Sequence, residues 1–395
     1  MIAAEYLSKA LDTLILGKRD MTFKAARCCM EISHLAYADD IIIFTQAATP
    51  ALRQLKTCLT NYEAVSGQQI SRAKSNFYIA EEHAGWATSI QLEGGFSPGS
   101  FPFLYLGVPI YRGAKRTEMF MFLREKITNK ISSWAHRHLS FGGRLTLIKS
   151  TLEAVPIHIF QAIEPTVSAL KQLDQLMARF FWGSTNERKR TYWISWDQIC
   201  LPTAEGGLGL RKFKEVLRAF TIKLWWRFRE QNSLWDRYMM AIYCHNSSPI
   251  MHGSSSRASP TWRRILRARP YAQPHIWWLV KEGNVYFLDD IWIGNTTLRE
   301  LCLDERGSPR TLVSEFIRSE GVWNEPKLQQ LNEQAGLPRH IIARIRDTPI
   351  ITGEPDIPRW TLSRLGDFSV SSTWDTIRSQ RPIIPSLDDI WKVGL

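Results

Sequence analysis

The sequence lacks the cysteine patterns that mark disulfide-stabilised and zinc-binding proteins. Its six cysteines form no Cys-x-x-Cys pair and no paired cluster with histidine; they stand at positions 28, 29, 58, 200, 244 and 302. Disulfide frameworks and zinc sites depend on such spacings. We therefore expect reduced thiols and no zinc ligands, as in an intracellular protein, and the pattern does not separate nucleus from cytoplasm.

Long hydrophobic runs are absent as well. No stretch of 18 consecutive apolar residues occurs, whereas a transmembrane helix needs about 20. The N-terminal segment MIAAEYLSKALDTLI carries Glu5 and Lys9 where a signal peptide would need an unbroken apolar core. The sequence therefore predicts a protein that is neither secreted by that route nor membrane-spanning.

Acidic residues are outnumbered by basic ones. The chain has 50 Lys and Arg against 38 Asp and Glu, which gives a formal net charge of +12. Between residues 111 and 150 only Glu118 and Glu125 oppose nine cations, which are Arg112, Lys115, Arg116, Arg124, Lys126, Lys130, Arg137, Arg144 and Lys149. Such a segment favours a polyanionic partner, with nucleic acid the first candidate. A solvated helix face of a basic protein is the equally open alternative.

Local patterns in the first part of the chain predict an α+β unit over residues 1–112. Apolar residues at helical spacing predict a helix over residues 3–15, and Thr49–Pro50 and Gly67 mark the start and end of a second helix. Between them, ISHLAY, a tight ADD and IIIF predict a β-hairpin. Further strand signals follow in KSNFYIA and FLYLGVPIY.

The 395 residues, 44% of them hydrophobic, predict two or three domains. Helical periodicity dominates from about residue 114 and predicts a helical region over residues 113–245. Residues 246–260, NSSPIMHGSSSRASP, are polar, aperiodic and rich in Ser and Pro, which predicts a linker. Residues 261–395 form a mixed, Trp-rich C-terminal region with short strand signals in GNVYFLDDIWIG. Most of the 16 tryptophans should lie in cores, and a minority could stack on bases.

The predicted hairpin contains two adjacent carboxylates, Asp39 and Asp40, within the apolar stretch ISHLAYADDIIIFTQ. An unpaired ion that is buried among apolar side chains costs several kcal/mol or more, so we expect a cation or hydrogen-bond donors to meet them. Successive strand residues point to opposite faces, so the two carboxylates need not have the same role. A turn in which the aspartates are satisfied by their own backbone is the simpler alternative.

Several further motifs follow AYADD in order. They are SGQQISRAKS, FLYLGVPIY, ISSWAHRHLSFGGRLTLIKSTLEAVPIHIF, FFWG, YWISWDQICLPTAEGGLGLR and GDFSVSSTWD. This series resembles the reverse transcriptase of plant non-LTR (LINE-type) retrotransposons over nearly the whole chain. The resemblance implies a partial polymerase palm of antiparallel hairpins and helices, then an α-helical thumb, and then the Trp-rich connecting region.

The resemblance also implies the chemistry of an RNA-directed DNA polymerase. In that reaction two divalent metals about 3.5–4 Å apart stabilise the attacking and leaving oxygens. Asp39 is implied as the leading ligand of Mg²⁺ or Mn²⁺, and Asp40 as an auxiliary one. Lys74 is implied to meet the incoming deoxynucleoside triphosphate and to protonate the departing pyrophosphate. Tyr37 is implied to lie near the primer end, with a core tyrosine as the open alternative.

Contacts to the RNA template and the RNA–DNA hybrid are implied farther along the chain. Leu106 and Gly107 of YLGVP resemble the primer grip, where glycine permits close approach of the backbone, although a simple hairpin turn would use the same residues. Lys126 and Lys130 are four residues apart, so they share a helix face and could bind phosphates. The sequence predicts no oligomeric state.

The pattern departs from the family at both ends. In the family, another metal-binding aspartate, the fingers and a GDPLSP-like loop precede the helix that begins here near Ala3, and a Cys/His-rich zinc module follows GDFSVSSTWD. Ser71 also stands where the family usually has asparagine. We therefore expect a truncated reverse transcriptase with little or no polymerase activity. A non-catalytic nucleic-acid-binding remnant and a poorly folding chain with exposed sheet edges are the alternatives.

Overall fold

The structure is a computed structural model that describes residues 2–24, 28–113, 117–134, 139–184, 190–245, 248–253, 255, 258–302, 310–318, 321–351 and 353–383. Helices and short strands, mostly in antiparallel pairs, make up these residues, which confirms the predicted α+β class. Contacts divide the chain into two compact units, Met1–Ala114 and Lys115–Leu395. No helix in the described part of the chain is both long and apolar enough to cross a bilayer.

The first unit alternates helices with short strands. Its helices are α1 (Ile2–Ile15), α2 (Thr49–Ser66) and α3 (Ala87–Gly94), and its strands are β1 (His34–Tyr37), β2 (Asp40–Ile43), β3 (Asn76–Phe77), β4 (Ser97–Pro98), β5 (Phe103–Tyr105) and β6 (Val108–Ile110). Strands β1 and β2 pair antiparallel, as do β5 and β6, whereas β3 and β4 pair in parallel. Both predicted helices and the ISHLAYADDIIIF hairpin are confirmed. The strand predicted for KSNFYIA is reduced to two residues.

Helices α1 and α2 provide the core of the first unit. Leu11 and Ile15 of α1 are fully buried and belong to one hydrophobic cluster with Leu55 and Leu59 of α2. Helix α2 ends at Gly67, which adopts a positive φ of 69° and donates its N–H to a carbonyl of the last turn. Glycine has no Cβ atom and adopts this left-handed conformation with little strain, which explains why the helix ends there as predicted.

Polar contacts attach the β1–β2 hairpin to α1. Ser33, just before β1, donates its hydroxyl to the Asp12 carboxylate, and His34 Nε2 lies 2.7 Å from Ser8 Oγ. Ser8 and Asp12 are one helical turn apart and therefore lie on the same side of α1. The base of the hairpin is thus held by hydrogen bonds to a helix.

The second unit is mainly helical. Its helices are α4 (Met121–Ser133), α5 (Phe141–Leu147), α6 (Ile157–Ala162), α7 (Val167–Trp182), α8 (Trp196–Ile199), α9 (Phe213–Glu230), α10 (Leu234–Tyr243), α11 (Pro260–Ala272), α12 (Leu298–Leu301), α13 (Glu325–Ala335), α14 (Arg339–Asp347) and α15 (Val370–Ile377). Strands β7 (Ile276–Leu279) and β8 (Ile357–Trp360) form an antiparallel pair. The helices of this unit bear out the helical periodicity that the sequence shows from about residue 114.

Helix α9 lies in the centre of this unit and contacts α11, α15 and β8. Trp225, Trp262 and Trp360 are fully buried in the surrounding cluster. Most of the described tryptophans are buried or half-buried, as predicted, because a large apolar ring gains most from leaving water. Trp86 and Trp193 are the exposed exceptions among the described residues, at 56% and 80% exposure.

The segment predicted as a linker, 246–260, connects two parts of one hydrophobic core. The cluster that contains Trp225 before it also contains Trp262 and Trp360 after it. Within the segment, Ser248 is buried, and Arg269 donates to the Pro249 and His252 carbonyls. The short strands predicted for GNVYFLDDIWIG do not form in full. In the described residues this segment contains only isolated β-bridges, at Tyr286 and Ile291.

The segment EGGLGL forms a tight structural turn between α8 and α9. Leu208 donates its N–H to the Ile199 carbonyl, and Gly209 donates to the Leu201 carbonyl. A Cβ atom on Gly207 would lie 2.0 Å from that Leu201 oxygen. Glycine is required there because the two backbone segments touch.

Candidate functional site

Asp39 and Asp40 lie at the exposed tip of the β1–β2 hairpin. Asp39 occupies the two-residue turn with Ala38, whose φ is 52°, and Asp40 begins β2. Both aspartates are exposed, and Leu35 in the neighbouring strand is 39% exposed. The expectation that these carboxylates are buried among apolar side chains is therefore wrong. Solvent stabilises their charge, because the turn lifts them away from the packed side of the hairpin.

Tyr37 lies directly opposite Asp40 in the hairpin register. Cross-strand partners share a face of the sheet, so Tyr37 is a neighbour of Asp40. Strand β1 ends at Tyr37, before the turn that contains Asp39. Its side chain is 65% exposed, which excludes the alternative of a core tyrosine. Tyr37 and Asp40 are together available to a ligand at the hairpin tip.

The β5–β6 hairpin lies close to the same tip. Burial, and secondly the negative charge of Asp40, raises the pKa of Tyr105, the last residue of β5. Leu106 and Gly107 follow Tyr105 and form the hairpin turn, with φ angles of 49° and 74°. Glycine adopts a positive φ with little strain, so the turn itself accounts for Gly107. The structure thus brings the segment predicted as a primer grip near Asp40.

Lys74 does not lie in a strand. It closes a turn in which its N–H donates to the Ser71 carbonyl, and its side chain is exposed. Strand β3 starts two residues later, at Asn76. In the described residues no hydrogen bond or ion pair joins the Lys74 ammonium group to Asp39 or Asp40. The predicted position in a strand is wrong, and its role toward a triphosphate stays a prediction.

The residues at the hairpin tip do not fit a two-metal centre. Asp39 and Asp40 offer two carboxylates, but no group of three or more His, Cys, Asp or Glu side chains that could hold a metal occurs in the part of the chain that the structure describes. Mg²⁺ can bind through one or two carboxylates when substrate phosphates supply further oxygens. Two metals side by side need more anchoring ligands than this tip provides.

The basic helix α4 presents Lys126 and Lys130 on one face. They lie one turn apart, Lys126 exposed and Lys130 half-buried, while Leu123 and Ile127 of the same helix are buried. Neither lysine forms an ion pair with a carboxylate of the described residues. Their charge therefore remains available to a polyanion.

The remaining cations of the basic segment have different environments. Arg112 pairs with Glu81 and Glu82, so its charge is partly neutralised. Arg124 and Lys149 are exposed, whereas Arg144 is half-buried. Lys115, Arg116 and Arg137 lie outside the described residues. Within the described residues, the basic face of α4 therefore carries two cations of this segment without a carboxylate partner.

A second Asp-Asp pair, Asp289–Asp290 in YFLDDIWIG, is buried, unlike the pair at the hairpin tip. Asp290 is fully buried, and Arg229 donates to its two oxygens at 2.9 and 2.7 Å. Gln273 and the backbone N–H of Tyr286 complete its hydrogen bonds. Asp289, 4% exposed, pairs with Arg299. This cluster is structural, since the carboxylate oxygens face donors from the core of the second unit.

Comparisons with known proteins identify relatives in one plant. A protein of Arabidopsis thaliana named as a ribonuclease H protein is 31% identical over 300 residues, which cover 72% of this chain and 47% of that protein. The chain is related to plant proteins. An uncharacterized mitochondrial protein of the same organism is 26% identical over 118 residues, 29% of this chain and 77% of that protein. The chain spans about half the length of the first relative. No family model matches it.

Proposed function

We propose that this chain is derived from the reverse transcriptase of a plant LINE-type retroelement and acts by binding RNA and RNA–DNA hybrids. The order of motifs from AYADD to GDFSVSSTWD supports this origin. A relative whose name describes a ribonuclease H protein agrees with a nucleic-acid substrate. The net charge of +12 supports a polyanionic partner.

The observation that carries the binding function is the cationic face of α4. Lys126 and Lys130 stand one turn apart, without carboxylate partners among the described residues. Each lysine that neutralises a phosphate releases condensed counterions, so binding through this face depends strongly on salt and little on base sequence. Such a face suits the regular phosphate backbone of a hybrid duplex.

We expect no polymerase activity from residues 1–395 by themselves. The hairpin tip supplies Asp39 and Asp40, and no metal-binding group of three is found in the described residues. A primer-extension assay with an RNA template, in Mg²⁺ and separately in Mn²⁺, tests this point. Extension should not exceed background. Robust synthesis that Asp39→Ala abolishes would show that the chain is a polymerase.

Fluorescence anisotropy with a labelled RNA–DNA hybrid at several salt concentrations tests the binding function. The Lys126→Glu/Lys130→Glu variant should weaken binding and reduce the slope of log K against log salt by about 2, one for each lysine that no longer neutralises a phosphate. Lys214→Glu/Arg237→Glu is the control, because it changes the net charge equally at exposed cations of α9 and α10. Equal effects of the two double variants would reject α4 as the binding face.

A further inference from the structure

Aromatic side chains cluster at the end of α7 and in the segment after it. The Trp182 ring stacks on Tyr192 with centroids 6.0 Å apart, and the Phe141 ring of α5 forms a T-shaped pair with Trp182, with centroids 5.9 Å apart. Trp182 is buried, but Phe141 and Tyr192 are 55% and 47% exposed, and the adjacent Trp193 is 80% exposed. A cluster of large exposed rings marks an interaction surface more often than single exposed rings do.

Arg144 lies beside these rings in an arrangement that needs the glycine of FFWG. A Cβ atom on Gly183 would stand 2.3 Å from Arg144 Nη1, so the guanidinium group lies directly over that glycine. Arg144 also donates to the Phe181 carbonyl at 3.4 Å, and its Cζ lies 5.8 Å from the centre of the Phe141 ring. These contacts hold the guanidinium group at the edge of the aromatic cluster.

Arg190 adds a second positive charge at the same place. Its backbone N–H donates to Ser184 Oγ at 3.0 Å, next to Gly183, and its side chain is exposed. Burial, and secondly the charge of Arg190, lowers the pKa of Arg144, so the two guanidinium groups repel each other. No carboxylate of the described residues forms an ion pair with either arginine. An anion between them would relieve this repulsion.

We propose that Phe141, Arg144, Arg190, Tyr192 and Trp193, the aromatic–arginine surface, bind single-stranded nucleic acid. Phosphates bind the two guanidinium groups, and unpaired bases stack on the exposed rings. This site rests on the proposed function and deepens it, because single strands bind here rather than at the basic face of α4. Paired bases of a duplex present no free faces, so this surface discriminates against the hybrid.

The two guanidinium groups of the surface favour nucleic acid over a protein partner. Tyr192 also lines a cavity of about 430 Å³ in which the cations Lys171 and Arg179 are balanced by the carboxyl groups of Asp174 and Asp197, so the positive charge of the surface comes from Arg144 and Arg190. Two guanidinium groups that repel each other gain from an anionic partner, whereas a neutral protein surface would leave their repulsion in place. Cations around exposed rings match the backbone and bases of a flexible polyanion.

Anisotropy with a labelled oligonucleotide of about 20 nucleotides, longer than most single-strand site sizes, tests the inference. Trp193→Ala should weaken binding of single-stranded RNA or DNA about 10-fold, which is the effect of losing one stacked base. Arg190→Glu should weaken it at least as much. Trp193→Phe, which keeps a ring, should restore most of the affinity. Hybrid binding should change less than about twofold in Trp193→Ala, because the hybrid offers no unpaired base to stack.

Exposed residues elsewhere serve as matched controls. Trp86→Ala removes another exposed tryptophan, and Arg237→Glu reverses another exposed arginine; neither should weaken single-strand binding. Circular dichroism checks that every variant is folded. Single-strand affinity that is unchanged in both Trp193→Ala and Arg190→Glu would overturn the inference. Loss of self-association in Trp193→Ala with intact oligonucleotide binding would also overturn it, and would assign the surface to a protein contact.

The two proposals can fail separately. If hybrid binding depends on Lys126 and Lys130 but the affinity for single strands is unchanged by substitution of Trp193 and Arg190, only the inference about the aromatic–arginine surface is wrong. If single-strand binding depends on Trp193 and Arg190 while Lys126→Glu/Lys130→Glu has no effect, α4 is not the hybrid-binding face, and the aromatic–arginine surface stands.

Discussion

Asp174 of α7 is a carboxyl group whose environment opposes its charge. One of its oxygens is buried without a hydrogen-bond partner among the described residues, and burial raises the pKa of Asp174 to about 6. The backbone N–H of Phe213 and the charge of Lys212 compensate only in part. The folded chain therefore holds a proton here that the unfolded chain releases at lower pH.

This raised pKa predicts a defined pH dependence of stability. As pH rises from about 4 to 6, the unfolded state loses the Asp174 proton before the folded state does, so the free energy of unfolding falls. Asp174→Asn should remove this loss. The free energy of unfolding of Asp174→Asn, taken relative to that of wild type, should increase by on the order of 1–3 kcal/mol from pH 4 to pH 8. This magnitude follows from about 1.4 kcal/mol per unit of pKa. Urea unfolding at the two pH values measures the difference.

Gln175→Ala is the control for this prediction, since Gln175 is an exposed neighbour of Asp174 on α7 and carries no titratable group. Its stability difference from wild type should be the same at both pH values. A difference for Asp174→Asn that is equally independent of pH would show that Asp174 is ionised in the folded chain at pH 4.

At the scale of elements, the turn between α8 and α9 depends on one glycine. Replacing Gly207 with alanine would place a methyl group against the Leu201 carbonyl oxygen, which also accepts the N–H of Gly209. The clash involves backbone on both sides and cannot be relieved by a side-chain rotation. We expect Gly207→Ala to lower the free energy of unfolding by about 3 kcal/mol, at the upper end of overpacking effects.

Gly253→Ala is the matched control, because a Cβ atom on Gly253 meets open space within 4 Å. Thermal unfolding followed by circular dichroism compares both variants with wild type. Gly253→Ala should leave the unfolding temperature nearly unchanged. A similarly small effect of Gly207→Ala would mean that the two backbone segments separate more easily than their hydrogen bonds indicate.

At the scale of the whole molecule, each compact unit has its own hydrophobic core. Leu11 is fully buried in the cluster between α1 and α2, and Asp290 is fully buried beside Arg229 in the second unit. Differential scanning calorimetry should therefore resolve two transitions. Leu11→Ala should destabilise one by about 2–5 kcal/mol, and Asp290→Ala, which leaves a buried arginine unpaired, should destabilise the other by about 3–5 kcal/mol.

Leu298→Ala and Asp12→Ala extend this test within each unit. Leu298 is buried in the same cluster as Trp225, and Asp12 accepts the Ser33 hydroxyl next to the hairpin. Each should shift the transition of its own unit. A single transition that both Leu11→Ala and Asp290→Ala lower would contradict independent cores and show that the chain unfolds as one cooperative body.

Elements with strong local signals could be predicted from the sequence. Helix α2 has proline near its start and Gly67 at its end, and these act through the backbone of their immediate neighbours. The β1–β2 hairpin has strands of β-branched and aromatic residues around a short turn. The turn at Lys74 could not be predicted, because the extent of the strand beside it depends on pairing with Ser97 and Pro98, which lie far along the chain.

The sequence by itself determined the α+β class, the positions of the main helices and hairpins, and the basic face of α4, because periodicity and turn residues act over a few neighbours. Only the tertiary structure decided which aspartates are buried. AYADDIIIF and YFLDDIWIG look alike locally, yet Asp40 is exposed while Asp290 is fully buried. The physical reason is that burial of Asp290 requires Arg229, which lies 61 residues away in the chain, to neutralise it.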